Sequence, residues 1–201
     1  MATQEDVQVT EQPPKLLITI VTLIDTVIGE WTGKIFAWLV IPMSLGLAYE
    51  VIARYVFHAP TVWAYDVTYM LYGSHFMLGA AYTLYRGQHI RTDMLYEKYS
   101  TRWKGIVDAT LYLLFFFPGM IFFFLAGWNE AMHSWSIGER SDASPWRPII
   151  YPFKTVMPAS AALLIIQGVS EFLKSAYAAI KGRELFPKEA PPPTEARIDV
   201  L

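Results

Sequence analysis

Glu50 and Arg54 stand four residues apart in a stretch with no other charge between Ile35 and Phe57. On a helix that spacing puts both on one face, with Glu ahead of Arg, the favourable order for a pair. A lone charge near the middle of a bilayer costs roughly 2.5–3.5 kcal/mol. Two such charges therefore need partners or a wet surface. Asp66 opens the next apolar stretch across the turn His58–Val62, at the level of Arg54. A carboxylate is also favoured at a helix N-terminus. Two readings are open, and both can hold. A Glu50–Arg54–Asp66 cluster locks the hairpin, or these charges make a polar contact to another membrane protein. A proton relay or ion site would want further acids within the other apolar stretches, but Asp108 and Glu130 lie only at the ends of the third.

His75 lies in the middle of its stretch. A heme held between membrane helices would want a second histidine at matching depth. His58 and His133 sit near the outer end and His89 in a loop, so His75 reads as a packed polar residue. The chain has no cysteine, which removes disulfides, thiolate zinc and iron–sulfur clusters. It also lacks a Gly-rich Lys phosphate loop, HExxH and GxSxG. Neither enzyme chemistry nor a bound cofactor or metal is expected. A net charge of -2 argues against a nucleic-acid partner. The segment Trp135–Trp146 carries Glu139, Arg140, Ser141 and Trp146 among Ser and Gly. It reads as a solvated connector or as a docking surface for a periplasmic protein.

The elements that position these residues follow from where charge is missing. The 201-residue chain is 54% hydrophobic and 17% charged. Its charge-free runs are Ile35–Tyr49, Val67–Tyr85, Ala109–Asn129 and Thr155–Ser170. About twenty apolar residues cross hydrocarbon as a helix. The expected fold is an all-α integral membrane protein with four antiparallel transmembrane helices, at about 35–57, 63–85, 105–129 and 152–177 within a membrane domain 35–178. Pro60 ends the first span, and the short turn forces an antiparallel hairpin.

Residues 15–33 have a weaker pattern. Thr19, Thr22, Thr26, Gly29 and Gly33 share one face, with Leu and Ile opposite. That predicts an N-terminal amphipathic helix lying in the membrane interface. Residues 1–14 and 179–201 read as flexible tails, and the acidic N-terminus lacks the marks of a removable signal. Twelve Lys and Arg fall in the 86–104 loop, the C-terminal stretch and the segment before the first span. Four fall on the other side. Basic loops stay cytoplasmic, so both termini are expected inside. The tryptophans cluster near span ends, as an interfacial belt does.

Glu50-Val-Ile-Ala-Arg54-Tyr-Val-Phe57 is followed by Pro60, Trp63 and Asp66, then by Gly79 and the stretch Arg86-Gly-Gln-His89-Ile-Arg-Thr-Asp93. This ordered set resembles the small membrane subunit of tripartite ATP-independent periplasmic (TRAP) transporters, the DctQ-like family. Asp66 stands where that family commonly has Glu. The segment 134–146, followed by Pro152, Lys154 and Pro158, resembles one branch of it.

The resemblance implies a bacterial inner-membrane protein that works with a large multi-spanning permease subunit and a periplasmic substrate-binding protein. The large subunit would import an organic acid using an ion gradient, usually sodium. The small subunit would act as its membrane scaffold. Glu50, Arg54, Trp63 and Asp66 are then expected in the subunit contact, with His89 and Asp93 in a cytoplasmic loop motif. The alternatives are a heme-bearing membrane anchor of a redox complex and a stand-alone small carrier. Four spans without repeats are few for the latter.

Overall fold

In a computed structural model, residues 13–87 and 99–186 are described, and no strand occurs among them. The first helical run is continuous from Lys15 to Tyr55. It comprises α1 (Lys15–Ile24), a wide π-helical segment (Asp25–Trp31), α2 (Thr32–Ala37) and α3 (Val40–Tyr55). The interruption falls at Trp38 and Leu39. Pro42 cannot donate to the carbonyl of residue 38, and its ring crowds that carbonyl. The chain answers by tightening: Leu39 N donates to Phe36 O at 3.1 Å and Ile41 N to Trp38 O at 3.1 Å. These 41 residues span about 60 Å, twice the hydrocarbon thickness.

His58, with φ 54°, turns the chain out of α3. Next come α4 (Ala64–Tyr85) and α5 (Thr101–Leu111), then a second π-helical segment (Tyr112–Phe116) that runs into α6 (Phe117–Ile137). Gly138 ends α6 in the left-handed conformation, and Glu139 N caps Ser134 O at 3.1 Å. The last helix is α7 (Tyr151–Lys181).

Contacts pair the helices along their lengths. Early residues of one meet late residues of its neighbour between the α5–α6 run and α7. Trp135 lies on Tyr151, Phe117 on Phe172 and Arg102 on Ala179. At Gly105 the α7 backbone at Ser175 and Ala178 comes so close that any side chain would collide with it. The first run is set against α4 in the same manner: Gly29 meets Tyr85, Gly33 meets Tyr82, and Glu50 meets Thr61 just ahead of α4.

Gly29 and Gly33 thus lie on a packing face, although their spacing with Thr19, Thr22 and Thr26 reads as the watered face of an interfacial helix. Small residues let helices approach closely. The apolar side, with Leu16, Leu23, Val27 and Trp31, points outward.

The interior is small and polar, the exterior large and apolar. The largest fully buried side chains are Gln167, Val21, Asp66, Ser134 and Ser170, while Leu, Ile and Phe crowd the surface. A water-soluble fold does the reverse. By length and composition, three helical runs can cross a membrane: Lys15–Tyr55, Thr101–Ile137 and Tyr151–Lys181. α4 has 22 residues, but it is interrupted by Asp66, Thr68, Ser74 and His75 and is not among the three.

Candidate functional site

At the hairpin between α3 and α4, the Glu50 carboxylate takes four donors. Arg54 Nε donates to it at 2.9 Å and Arg54 Nη2 adds a second bond. Thr61 N donates at 3.0 Å, and the Thr61 hydroxyl donates as well. The same Thr61 oxygen accepts from Ala64 N at 3.4 Å, one of the free amides at the start of α4. Glu50 therefore ties the end of α3 to the beginning of α4. Trp63 stacks on Tyr49 at 5.8 Å beside it. Arg54 itself stays half exposed. It edges an open groove of about 470 Å³ between α3 and α4, lined also by Leu47, Val51, Tyr55, Tyr65 and Tyr69.

Asp66 is not part of this cluster. It lies two residues beyond Ala64, about 200° around the helix, and faces the loop between α6 and α7. At 1% exposure its carboxylate accepts from the Ser141 hydroxyl at 2.7 Å and from the Ser144 hydroxyl. Those oxygens in turn accept from Ala143 N at 3.2 Å and Trp146 N at 3.3 Å. The three-residue lock expected from the sequence is thus divided in two: Glu50–Arg54–Thr61 closes the hairpin, and Asp66 folds the loop.

The rest of that loop is held from α7. Lys154 Nζ reaches Glu130 at 2.6 Å and Glu139 at 2.6 Å. The Lys154 ammonium holds the Glu139 carboxyl below the usual carboxylate range. Arg140 and Ile149 form an antiparallel bridge, with Ser141 N donating to Pro148 O at 2.8 Å. The edge left outward carries Arg140, the Arg147–Asp142 pair at 2.6 Å, and Trp146. His89 and Asp93 lie outside the described residues.

A third carboxylate, partly buried, is silent in the sequence pattern. Asp25 Oδ1 accepts from Gln167 Nε2 at 2.9 Å and from the Ser170 hydroxyl at 2.6 Å. Its Oδ2 pairs with Lys174 Nζ at 2.7 Å, which also meets Glu171 at 2.7 Å. This network pins the N-terminal run to α7. The available signal was on α7. Gln167, Ser170 and Lys174 recur at helical spacing in an apolar helix, and such a stripe demands a polar partner. His75 Nδ1 lies 3.0 Å from Phe36 O. That contact spends the ring on holding α4 to α2, and nothing in it favours the heme reading.

An inside-out, all-helical chain with charged groups buried between its helices is a membrane protein by construction. Residues 43–177 match the family model described as tripartite ATP-independent periplasmic transporters, DctQ component. The chain belongs to that family, and so is a component of a TRAP transporter in the bacterial inner membrane. No curated protein and no solved structure matches it.

Proposed function

We propose that the chain is the small permease subunit of a TRAP system and serves as a membrane scaffold for the large transport subunit. The family match over 43–177 carries this reading. The geometry supports it: the buried carboxylates of Asp25, Glu50 and Asp66 are all engaged by the chain's own groups. They act as staples between helices, where a transport site would offer them to a substrate. The first run from about Gly29, then α4, α5–α6 and α7, cross alternately as four antiparallel spans in membrane lipid. Residues 15–28 lie at the cytoplasmic boundary, and both termini are inside, as the Lys and Arg asymmetry requires.

The large subunit moves a carboxylate-bearing organic solute with an ion gradient, sodium by family habit, after capture by a periplasmic binding protein. The Glu50–Arg54–Trp63 corner faces the large subunit. The outer loop, with Glu139 and Ser141 shaping it and Arg140 and Trp146 on its edge, meets the binding protein. Asp66 serves that second contact by holding the loop.

The test is purification of the C-terminally tagged chain from its native membrane in mild detergent, with mass spectrometry of its companions. A stoichiometric, larger multi-spanning protein is expected, and Arg54→Ala should release it. A hydrophilic redox subunit, or no companion, would overturn the reading.

A further inference from the structure

Two helices present long apolar faces outward, and they differ in chemistry. Across the middle of the α5–α6 run the exposed large residues include Leu113, Leu114, Phe115, Ile121, Phe122 and Leu125. None carries a polar side-chain atom, so hydrocarbon suffices as their surroundings. On α4 the exposed residues are Tyr65, Tyr69, Tyr72 and Phe76. Their steps of four, three and four make one straight stripe. The rings are already ordered in pairs, with Tyr65 on Tyr69 at 6.5 Å and Tyr72 on Phe76 at 6.3 Å.

Tyrosine belongs to a membrane boundary, where its hydroxyl is wet. Tyr72 is eight residues into α4, about 12 Å along the axis, and thus close to the middle of a ~30 Å core. It is 57% exposed there. Lipid tails offer its hydroxyl no acceptor. A neighbouring protein helix does. Arg54 stands at the outer end of the same groove. Glu50 occupies Arg54 Nε and Nη2 and leaves Nη1 outside that pairing. A guanidinium only donates. Arg54 therefore asks for an acceptor, and the tyrosine hydroxyls for polar partners, from whatever covers the strip.

We propose that one transmembrane helix of the large subunit lies along the α4 tyrosine stripe and sets a carboxylate or carboxamide against Arg54. The α6 face is left to lipid. This rests on the scaffold reading above and names the face through which it acts. A groove edged by Arg54 fits a polar partner helix better than a second copy of this chain, whose own strip of Tyr65, Tyr69, Tyr72 and Phe76 brings no carboxylate or carboxamide.

The test places photoreactive benzoylphenylalanine at position 72, 76 or 122 of the tagged chain, expressed with its large subunit and illuminated in native membranes. All three positions are on the surface, so folding is not at stake. Positions 72 and 76 should give a crosslink at the summed mass of the two subunits, and position 122 should give none. Crosslinking from 122 instead, crosslinking from all three, or a product at twice the mass of this chain would overturn the proposal. So would no crosslink from 72 or 76 in a complex that still co-purifies. If the unmodified chain carries no large subunit at all, the scaffold reading itself has failed. Arg54→Gln should weaken co-purification less than Arg54→Ala, because the amide keeps a donor. Equal, full retention with both would remove Arg54 from the contact.

Discussion

The two ends of the molecule each bury an aspartate, and they satisfy it differently. Asp66, at the end that carries the α3–α4 hairpin, is held by two serine hydroxyls, Ser141 and Ser144. Asp25, toward the opposite end, is held by a serine, an amide and the ammonium of Lys174. Asp66 fixes a loop whose residues lie 75 and 78 positions away, while Asp25 fixes a whole helix 142 to 145 positions away. Neutral hydroxyls orient a short segment at modest cost in desolvation. Anchoring a helix that could otherwise float in the interface uses a formal charge pair, which is strong only where water is kept out.

The largest effect is expected from Asp25→Ala. It strands Lys174 and removes the acceptor of Gln167 and Ser170. Breaking a partly buried pair in this way costs on the order of 3 kcal/mol, read as a lower unfolding temperature in detergent and new protease cleavage before Thr32. Asp66→Ala should cost about 2 kcal/mol, since two charge-assisted hydroxyl bonds are lost. Its cleavage should appear within 138–150, with the N-terminal run still protected. Cleavage at both ends from either variant would mean that the two clusters are one unit.

Lys174→Met leaves Asp25 with neutral donors only, as Asp66 has, and takes the ammonium from Glu171 as well. A loss on the order of 2 kcal/mol is expected, below that of Asp25→Ala because Gln167 and Ser170 keep their acceptor. A loss equal to that of Asp25→Ala would show that the ion pair alone does the anchoring.

The smallest effect concerns Glu139. Lys154 lowers its folded pKa, so the latch is present above the ordinary carboxylate value of about 4.3 and is lost as pH falls through the lowered folded value. Glu139→Gln should leave the unfolding temperature at neutral pH close to that of the unchanged chain, because an exposed ion pair is screened by water. It should also remove the acid-side loosening of the loop, followed by Trp146 fluorescence.

What the sequence made legible is what local spacing encodes. Helices, the hairpin at Pro60 and the Glu50–Arg54 pair all depend on neighbours within a few residues. The family was legible too, from ordered residues on either side of that hairpin, and the match over 43–177 bears it out. Partners that are distant in sequence were not. Spacing alone offers Asp66 either the nearest cation in the hairpin or a contact outside the chain, but the direction of its side chain is set by helix rotation, which sends it to Ser141 and Ser144. Asp25 gives no sign of its partners in the sequence around it, because Gln167 and Lys174 come from the far end of the chain. Gly29 and Gly33 read as polar because glycine is silent about whether it faces water or an aromatic ring. The 15–33 boundary was drawn at charged and small residues, whereas the backbone yields at Trp38, four residues before the proline responsible.

The two π-helical segments flank α7 at one height, Asp25 against Gln167 and Phe116 against Gly168. A wide turn is an α-helix carrying one residue too many. Each therefore acts as a fixed phase offset: everything downstream is rotated by about 100° relative to an unbroken helix. Remove one residue from Asp25–Trp31 and the helix would close up without a break. Gly33 would then swing away from Tyr82, and Glu50 away from Thr61, some twenty residues on. A single-residue deletion in an unremarkable stretch such as Thr26–Ile28 would thus be felt at the α3–α4 hairpin, through helix phase alone.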